Sequence, residues 1–212
     1  MRISKRLRLI IFVFVFGIVL MGLSFGSLFI GQMSTWDSIA EHEKVLRDLY
    51  SNSTQSQLKA MLPDHKMNFT DCLIWESQHI NFTMNRPQYE SVPQVLRNGV
   101  GACGEHVWVY GALCIAEGIR FRVVTVGYFI PGVVDHAWVQ VNPSGDGKTW
   151  IQIDVADTCD GIDKGNTISG LWNSTINNNN YYVNRSYKMV LAYELNSMGE
   201  VTITDVTSTF SG

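Results

Sequence analysis

The sequence holds no Cys-x-x-Cys pair, no two histidines at metal-ligand spacing and no acidic loop of the EF-hand kind. Neither a structural zinc site nor a loop-bound calcium is therefore expected, and no cofactor is implied. No acidic residue precedes Asp37, whereas Arg2, Lys5, Arg6 and Arg8 crowd the N-terminus. The rest of the chain carries 12 basic against 19 acidic side chains, net −7. Such a surface is poorly suited to nucleic acid, whose binding depends on phosphate neutralisation. No internal repeat is visible, and a hydrophobic fraction of 46% over 212 residues excludes disorder for most of the chain. That length accommodates one domain of ordinary size with an accessory segment.

Charge is also missing from Leu9 to Ile30, a run of 22 residues preceded by four cations. It is long enough to cross a hydrocarbon core as a helix, with the N-terminus cytoplasmic and the remainder outside. A cleaved signal peptide is the alternative, with Ser24-Phe25-Gly26 as a mediocre cleavage site and a secreted product. Asn-x-Ser/Thr sequons at Asn52, Asn68, Asn81, Asn173 and Asn184 exceed the roughly two that composition would give. They agree with an extracytoplasmic, N-glycosylated domain, or equally with a polar, Asn-rich surface. The expected organisation is a basic tail (1–8), an anchor (9–31), a juxtamembrane helical segment (32–66) and a domain (67–212).

Within the soluble part, Trp36 to Leu62 has apolar positions recurring at helical spacing, with a polar interruption at Ser51 to Ser56 that leaves open one continuous helix, a kinked one or two. Met67 to Arg97 reads as loop-rich, with a helical turn only at Val92 to Asn98. Cys103 to Glu117 is apolar nearly all round, hence a buried helix, and Gly118 is placed to stop it. Phe121–Phe129, His136–Val141 and Trp150–Val155 are strand-like and separated by turn residues, Asn142 to Gly147 among them. Residues 157–186 read as a polar surface loop, and 187–207 as a closing β-hairpin. The fold class is α+β, a nucleophile-bearing buried helix packed on an antiparallel sheet.

Chemistry centres on Gly99-Val100-Gly101-Ala102-Cys103-Gly104-Glu105-His106. A cysteine at a helix start gains from unpaired N–H groups and the positive dipole end, and a neighbouring imidazolium favours its thiolate further. Gly101 and Gly104 are expected to leave room beside the sulfur for a substrate carbonyl, with backbone N–H groups serving an oxyanion hole. His136 opens one strand and Asp154 closes the next, the order needed for a base and the group that fixes its tautomer. Taken singly each has a bland reading: a structural cysteine, a solvated histidine, a loop-starting aspartate. Glu105 and His106 are expected near the rim of the site, facing solvent.

The run GACGEHVWVYGALCIAEGIRFRVVTVGY, followed by DHAWVQV and WIQIDVAD, resembles the transglutaminase-like core, the papain-related superfamily of transglutaminases, peptide N-glycanases and many microbial proteins. The resemblance covers about residues 88–157. It implies Cys103 as nucleophile, His136 as general base and acid, and Asp154 as the residue orienting the imidazole. Arg122 matches the family's arginine, in a structural role. The resemblance also implies attack on a carboxamide carbonyl, a thioester, and transfer of the acyl group to water or to an amine. A further oxyanion-hole side chain is expected upstream, for which Gln94 and Trp75 are available.

Among the other cysteines, Cys72 and Cys159 fall in polar segments and Cys114 in the buried helix, so an oxidising compartment favours a Cys72–Cys159 disulfide. Two function classes follow. One is a membrane-anchored thiol amidase or acyltransferase acting on a protein or peptide substrate. The other is a non-catalytic module that binds a peptide or glycan in the same cleft.

Overall fold

The computed structural model describes residues 43–85, 91–126, 136–172, 174–176, 190–196 and 200–209, all within the second of two units, Glu41–Gly212. Leu9–Ile30, Ser24–Gly26, Asn173 and Asn184 lie outside the described residues. Among the described residues, no helix is long and apolar enough to cross a membrane.

The helical face begins with α1 (43–49) and α2 (Asn52–Lys59). Ser51 separates them as the N-cap of α2, its hydroxyl accepting from Thr54 N, so the polar interruption makes two helices rather than one kinked helix. Asn52 is exposed on the first turn of α2. The segment read as loop-rich contains α3 (Phe69–His79). Its signal is a capping box: Asn68 accepts from Thr70 and Asp71 N–H groups, and Asp71 accepts from Asn68 N. The sequon asparagine Asn68 thus starts a helix that buries Cys72, Leu73, Trp75 and Glu76. β1 (Asn81–Phe82), opened by the exposed Asn81, pairs in parallel with β2 (Val100–Gly101) across α4 (Val92–Asn98).

α5 (Cys103–Glu117) is the central helix, with Val107, Val109, Tyr110, Ala112, Leu113 and Cys114 all at most 1% exposed. Each fully buried Val or Leu contributes about 1.5–3 kcal/mol. Gly118, at φ +70°, ends it in the left-handed conformation that glycine adopts without strain. Gly111 serves a close approach instead: a Cβ there would sit 2.9 Å from Leu49 Cδ1 and from Phe121 Cε2, so α1 and the sheet press onto bare backbone.

Behind α5 stands an antiparallel sheet of β3 (Arg120–Val126), β4 (His136–Asn142), β5 (Ile151–Ile153), β6 (Val190–Leu195) and β7 (Val201–Asp205), in the order β5-β4-β3-β6-β7. β4 is buried along its whole length. Ala137, Val139 and Val141 join the helical core, and Trp138 joins a second apolar cluster with Val124, Val126, Val190, Ala192 and Val206. Two polar residues of β4 are buried with partners: Gln140 accepts from Arg122 Nε, and Asn142 Nδ2 donates to Asp146 Oδ1 and Thr149 O. Arg122 also lies 4.2 Å over the Trp150 ring, packing that agrees with a structural role.

The largest departure from expectation follows β5. Residues 157–186 are not simply a loop: α6 (Val155–Asp163) and α7 (Ile168–Leu171) occupy its first part. Val155, Thr158, Cys159 and Ile162 recur at helical spacing and turn inward, a signal masked by the polar residues between them.

Candidate active site

Three elements deliver the reactive side chains. Cys103 is the first residue of α5 and half-buried. The N-cap position is Ala102, which has no side-chain oxygen, so the helix start is held from within by Glu105, whose Oε2 accepts from Ala102 N at 2.9 Å. Gly101 is needed for this contact, since a Cβ there would stand 2.7 Å from Glu105 Cβ. Gly104 differs, as a Cβ on it would meet nothing within 4 Å. Open space therefore lies at Gly104, and Gly101 serves packing.

His136 begins β4 and Asp154 follows β5 directly. In the antiparallel register Val139 faces Ile153, so both residues project from the same end of the hairpin. The Asn142–Asp146 turn at the other end fixes that register: Asp146 Oδ1 accepts from Lys148 N, Thr149 N and Asn142, which hold its carboxyl down to about 2. His136 Nε2 lies 2.6 Å from Asp154 Oδ2. Burial alone would lower the imidazolium's pKa; the bond to Asp154 and the nearby Cys103 sulfur, with their charges, outweigh it and raise it to about 10.

Asp154 is fully buried and fixed on every side. Its Oδ1 accepts from Asp157 N at 3.3 Å, capping α6, its own N donates to Thr175 O, and its carbonyl accepts from Thr158 Oγ1 at 2.6 Å. Asp157, on the next turn, is raised to about 6 by burial and by the Asp154 charge.

Several expected positions differ. Glu105 and His106 are buried rather than solvent-facing, because α5 packs against α3 and β2 and His106 reaches Glu76 of α3. Cys72 and Cys159 are unpaired thiols, as are Cys103 and Cys114. Neither sits in a polar loop; they face the core from α3 and α6, where burial drives both thiols upward, that of Cys72 to about 12. Trp75 is buried and stacked on His79 at 3.8 Å, and Gln94 is half-buried on α4.

A second polar group lies inside the protein. His106 Nδ1 is 2.9 Å from Glu76 Oε1, both residues fully buried, and Cys159 completes a group whose ligand atoms lie within 4.8 Å of one another. Burial raises the Glu76 carboxyl to about 7 against the opposing pull of His106. Glu76 Oε2 and His106 Nε2 have no hydrogen-bond partner, a cost of about 1–3 kcal/mol each in a buried place. The burial of His106 was readable, since it shares a helical face with Tyr110 and Leu113; Glu76 carried no such signal.

Helices packed on an antiparallel sheet, with a cysteine at a helix start and a histidine–aspartate pair at the end of a hairpin, define an α+β arrangement. Residues 68–155 match the model of the transglutaminase-like superfamily. The match takes in α3 through β5, including the three reactive residues. Among solved structures, the chain is similar to a candidate cysteine protease from Cytophaga hutchinsonii, with 18% identity and a TM-score of 0.41. That similarity covers 53% of this chain and 40% of the other, so this chain spans under half of its length. No curated protein matches.

Proposed function

We propose that this protein is a cysteine-dependent amidase or acyltransferase acting on carboxamides of proteins or peptides. The observation carrying the reading is the 2.6 Å contact of His136 with Asp154 at the end of the hairpin, with the Cys103 sulfur near enough to that ring to raise its pKa. Cys103 is the nucleophile, His136 the base and acid, and Asp154 the group that orients the ring.

The Cys103 thiolate attacks the carbonyl carbon, and backbone N–H groups at the start of α5 receive the developing oxyanion. His136 gives its proton to the departing amine, leaving a thioester on Cys103. Water or a lysine amine then attacks the thioester, with His136 removing the nucleophile's proton. Which acceptor prevails depends on how well the cleft excludes water and presents an amine. Leu9–Ile30 supports an anchored domain outside the cytoplasm, with the sequons at Asn52, Asn68 and Asn81 open to glycosylation.

The test supplies a glutamine-containing protein with a labelled primary amine, and in parallel measures ammonia release and peptide cleavage, using Cys103→Ala as control. Amine incorporation identifies a transferase, and ammonia or cleavage a hydrolase. A folded protein giving neither, while retaining the peptide, returns the reading to a binding module. Protease accessibility of the domain on intact cells tests the topology.

A further inference from the structure

The Glu76–His106–Cys159 group is unused by the chemistry above, although His106 sits one helical turn beyond Cys103. Its three donors come from three helices, α3, α5 and α6, that pack against one another in the core. All three residues are 0% exposed. An ordinary buried Glu–His pair would use its polar atoms on each other and on nearby backbone. Among the described residues this one leaves Glu76 Oε2 and His106 Nε2 without a hydrogen-bond partner, and the Cys159 sulfur makes a long contact, 3.8 Å to Leu73 O.

From these unpartnered buried donors we infer that Glu76, His106 and Cys159 bind a divalent transition-metal ion of zinc type, a structural site that joins α3, α5 and α6.

Three arguments carry it. The first is donor chemistry: carboxylate oxygen, imidazole nitrogen and thiolate sulfur are the three ligand types that zinc takes. The second is charge. A carboxylate and a thiolate with a neutral imidazole sum to −2, so a divalent ion makes the buried site neutral, whereas without the ion the same groups leave polar atoms unpaired in an apolar interior. Binding releases the Cys159 thiol proton, and any proton on Glu76, to solvent; no redox change is involved. The third is span. Bonds of about 2.0–2.3 Å put tetrahedral ligand atoms roughly 3.3–3.8 Å apart, so the 2.9 Å Glu76–His106 contact needs to open by under an ångström and separations of up to 4.8 Å to close by about 1–1.5 Å.

The site also has a place in the architecture. His106 lies three residues after Cys103, and Cys159 five after Asp154, so an ion here fixes the helix starts carrying both residues without touching either. The inference does not depend on the proposed reaction, and each can fail alone.

The full chain is purified without chelator and its metal measured by plasma mass spectrometry; the metal is then exchanged for Co²⁺ and the absorption spectrum recorded. About one zinc per chain is expected, and a thiolate-to-cobalt charge-transfer band. Cys159→Ser should abolish that band, and His106→Gln should weaken zinc at least ~10-fold, whereas Cys103→Ala should retain both metal and band. Zinc-loaded protein should also melt higher than protein stripped by chelator. A chain that takes up neither Zn²⁺ nor Co²⁺ overturns the site. So does bound cobalt without a charge-transfer band, or a band lost in Cys103→Ala but kept in Cys159→Ser. Should Cys159→Ser fail to fold, the wild-type band and the retention of metal by Cys103→Ala decide the matter.

Discussion

Asp154 holds His136 Nε2 at 2.6 Å through Oδ2 and caps α6 through Oδ1, so one buried carboxylate fixes both the imidazole and the helix that follows it. With Nε2 committed, Nδ1 is the ring nitrogen left for Cys103. A hydrogen bond that sets the tautomer is thereby tied to the folding of the segment behind it.

The two roles of Asp154 separate by substitution. Asn caps helices nearly as well as Asp but carries no charge to stabilise an imidazolium. Asp154→Asn is expected to slow iodoacetamide alkylation of Cys103, and any turnover, by roughly 10²–10⁴-fold with little change in melting temperature. Asp154→Ala should lose as much reactivity and a further ~1–2 kcal/mol of stability. Equal melting losses in both variants would refute the division.

His136 gives a pH dependence of definite sign. Its folded pKa, about 10, stands above the ordinary histidine value near 6.5. Its contribution to stability is therefore complete below about pH 6.5 and is lost as pH rises through about 10. The melting difference between wild type and His136→Asn should shrink steadily from pH 7 to 10, measured by calorimetry.

Gly101 and Gly104 flank Cys103 but should respond in opposite ways. Gly101→Ala drives a Cβ to within 2.7 Å of Glu105 Cβ and disturbs the Glu105–Ala102 bond, with an expected loss of about 1–3 kcal/mol. Gly104→Ala meets no atom within 4 Å and replaces a helical glycine, so stability should hold or rise by ~0.5–1 kcal/mol. Urea titration of both variants checks this.

Four free thiols are expected from the unreduced chain unfolded in chelator, counted with a colorimetric thiol reagent. A reductant should leave the melting temperature unchanged. In the folded protein Cys103 should react first, since Cys72, Cys114 and Cys159 are buried and their thiols driven upward. A count of two would restore the Cys72–Cys159 disulfide.

The parts legible in the sequence are those where a local pattern has one physical outcome. An all-round apolar run ended by Gly118 can only be a buried helix. The strand composition of β3 and β4 and the turn at Asn142–Gly147 foretold the hairpin, at whose end His136 meets Asp154. α3 and α6 were missed for one reason. Their apolar residues are interleaved with Asp, Glu and Thr, and a polar residue in a helix is indistinguishable from one in a loop until its burial is known. The disulfide expectation failed with them, because cysteines thought to be in loops face the core.

By itself the sequence determined the buried helix that starts at Cys103, the hairpin that carries His136 and Asp154, and the resemblance to the transglutaminase-like superfamily, since each rests on residues close in the chain. Only the tertiary structure decided that Gly101 serves Glu105 and that Asp154 caps α6. It also brought Glu76, His106 and Cys159 together across 83 residues of chain. Meetings of this kind depend on how three helices pack, and no local periodicity encodes which of their buried polar atoms will face one another.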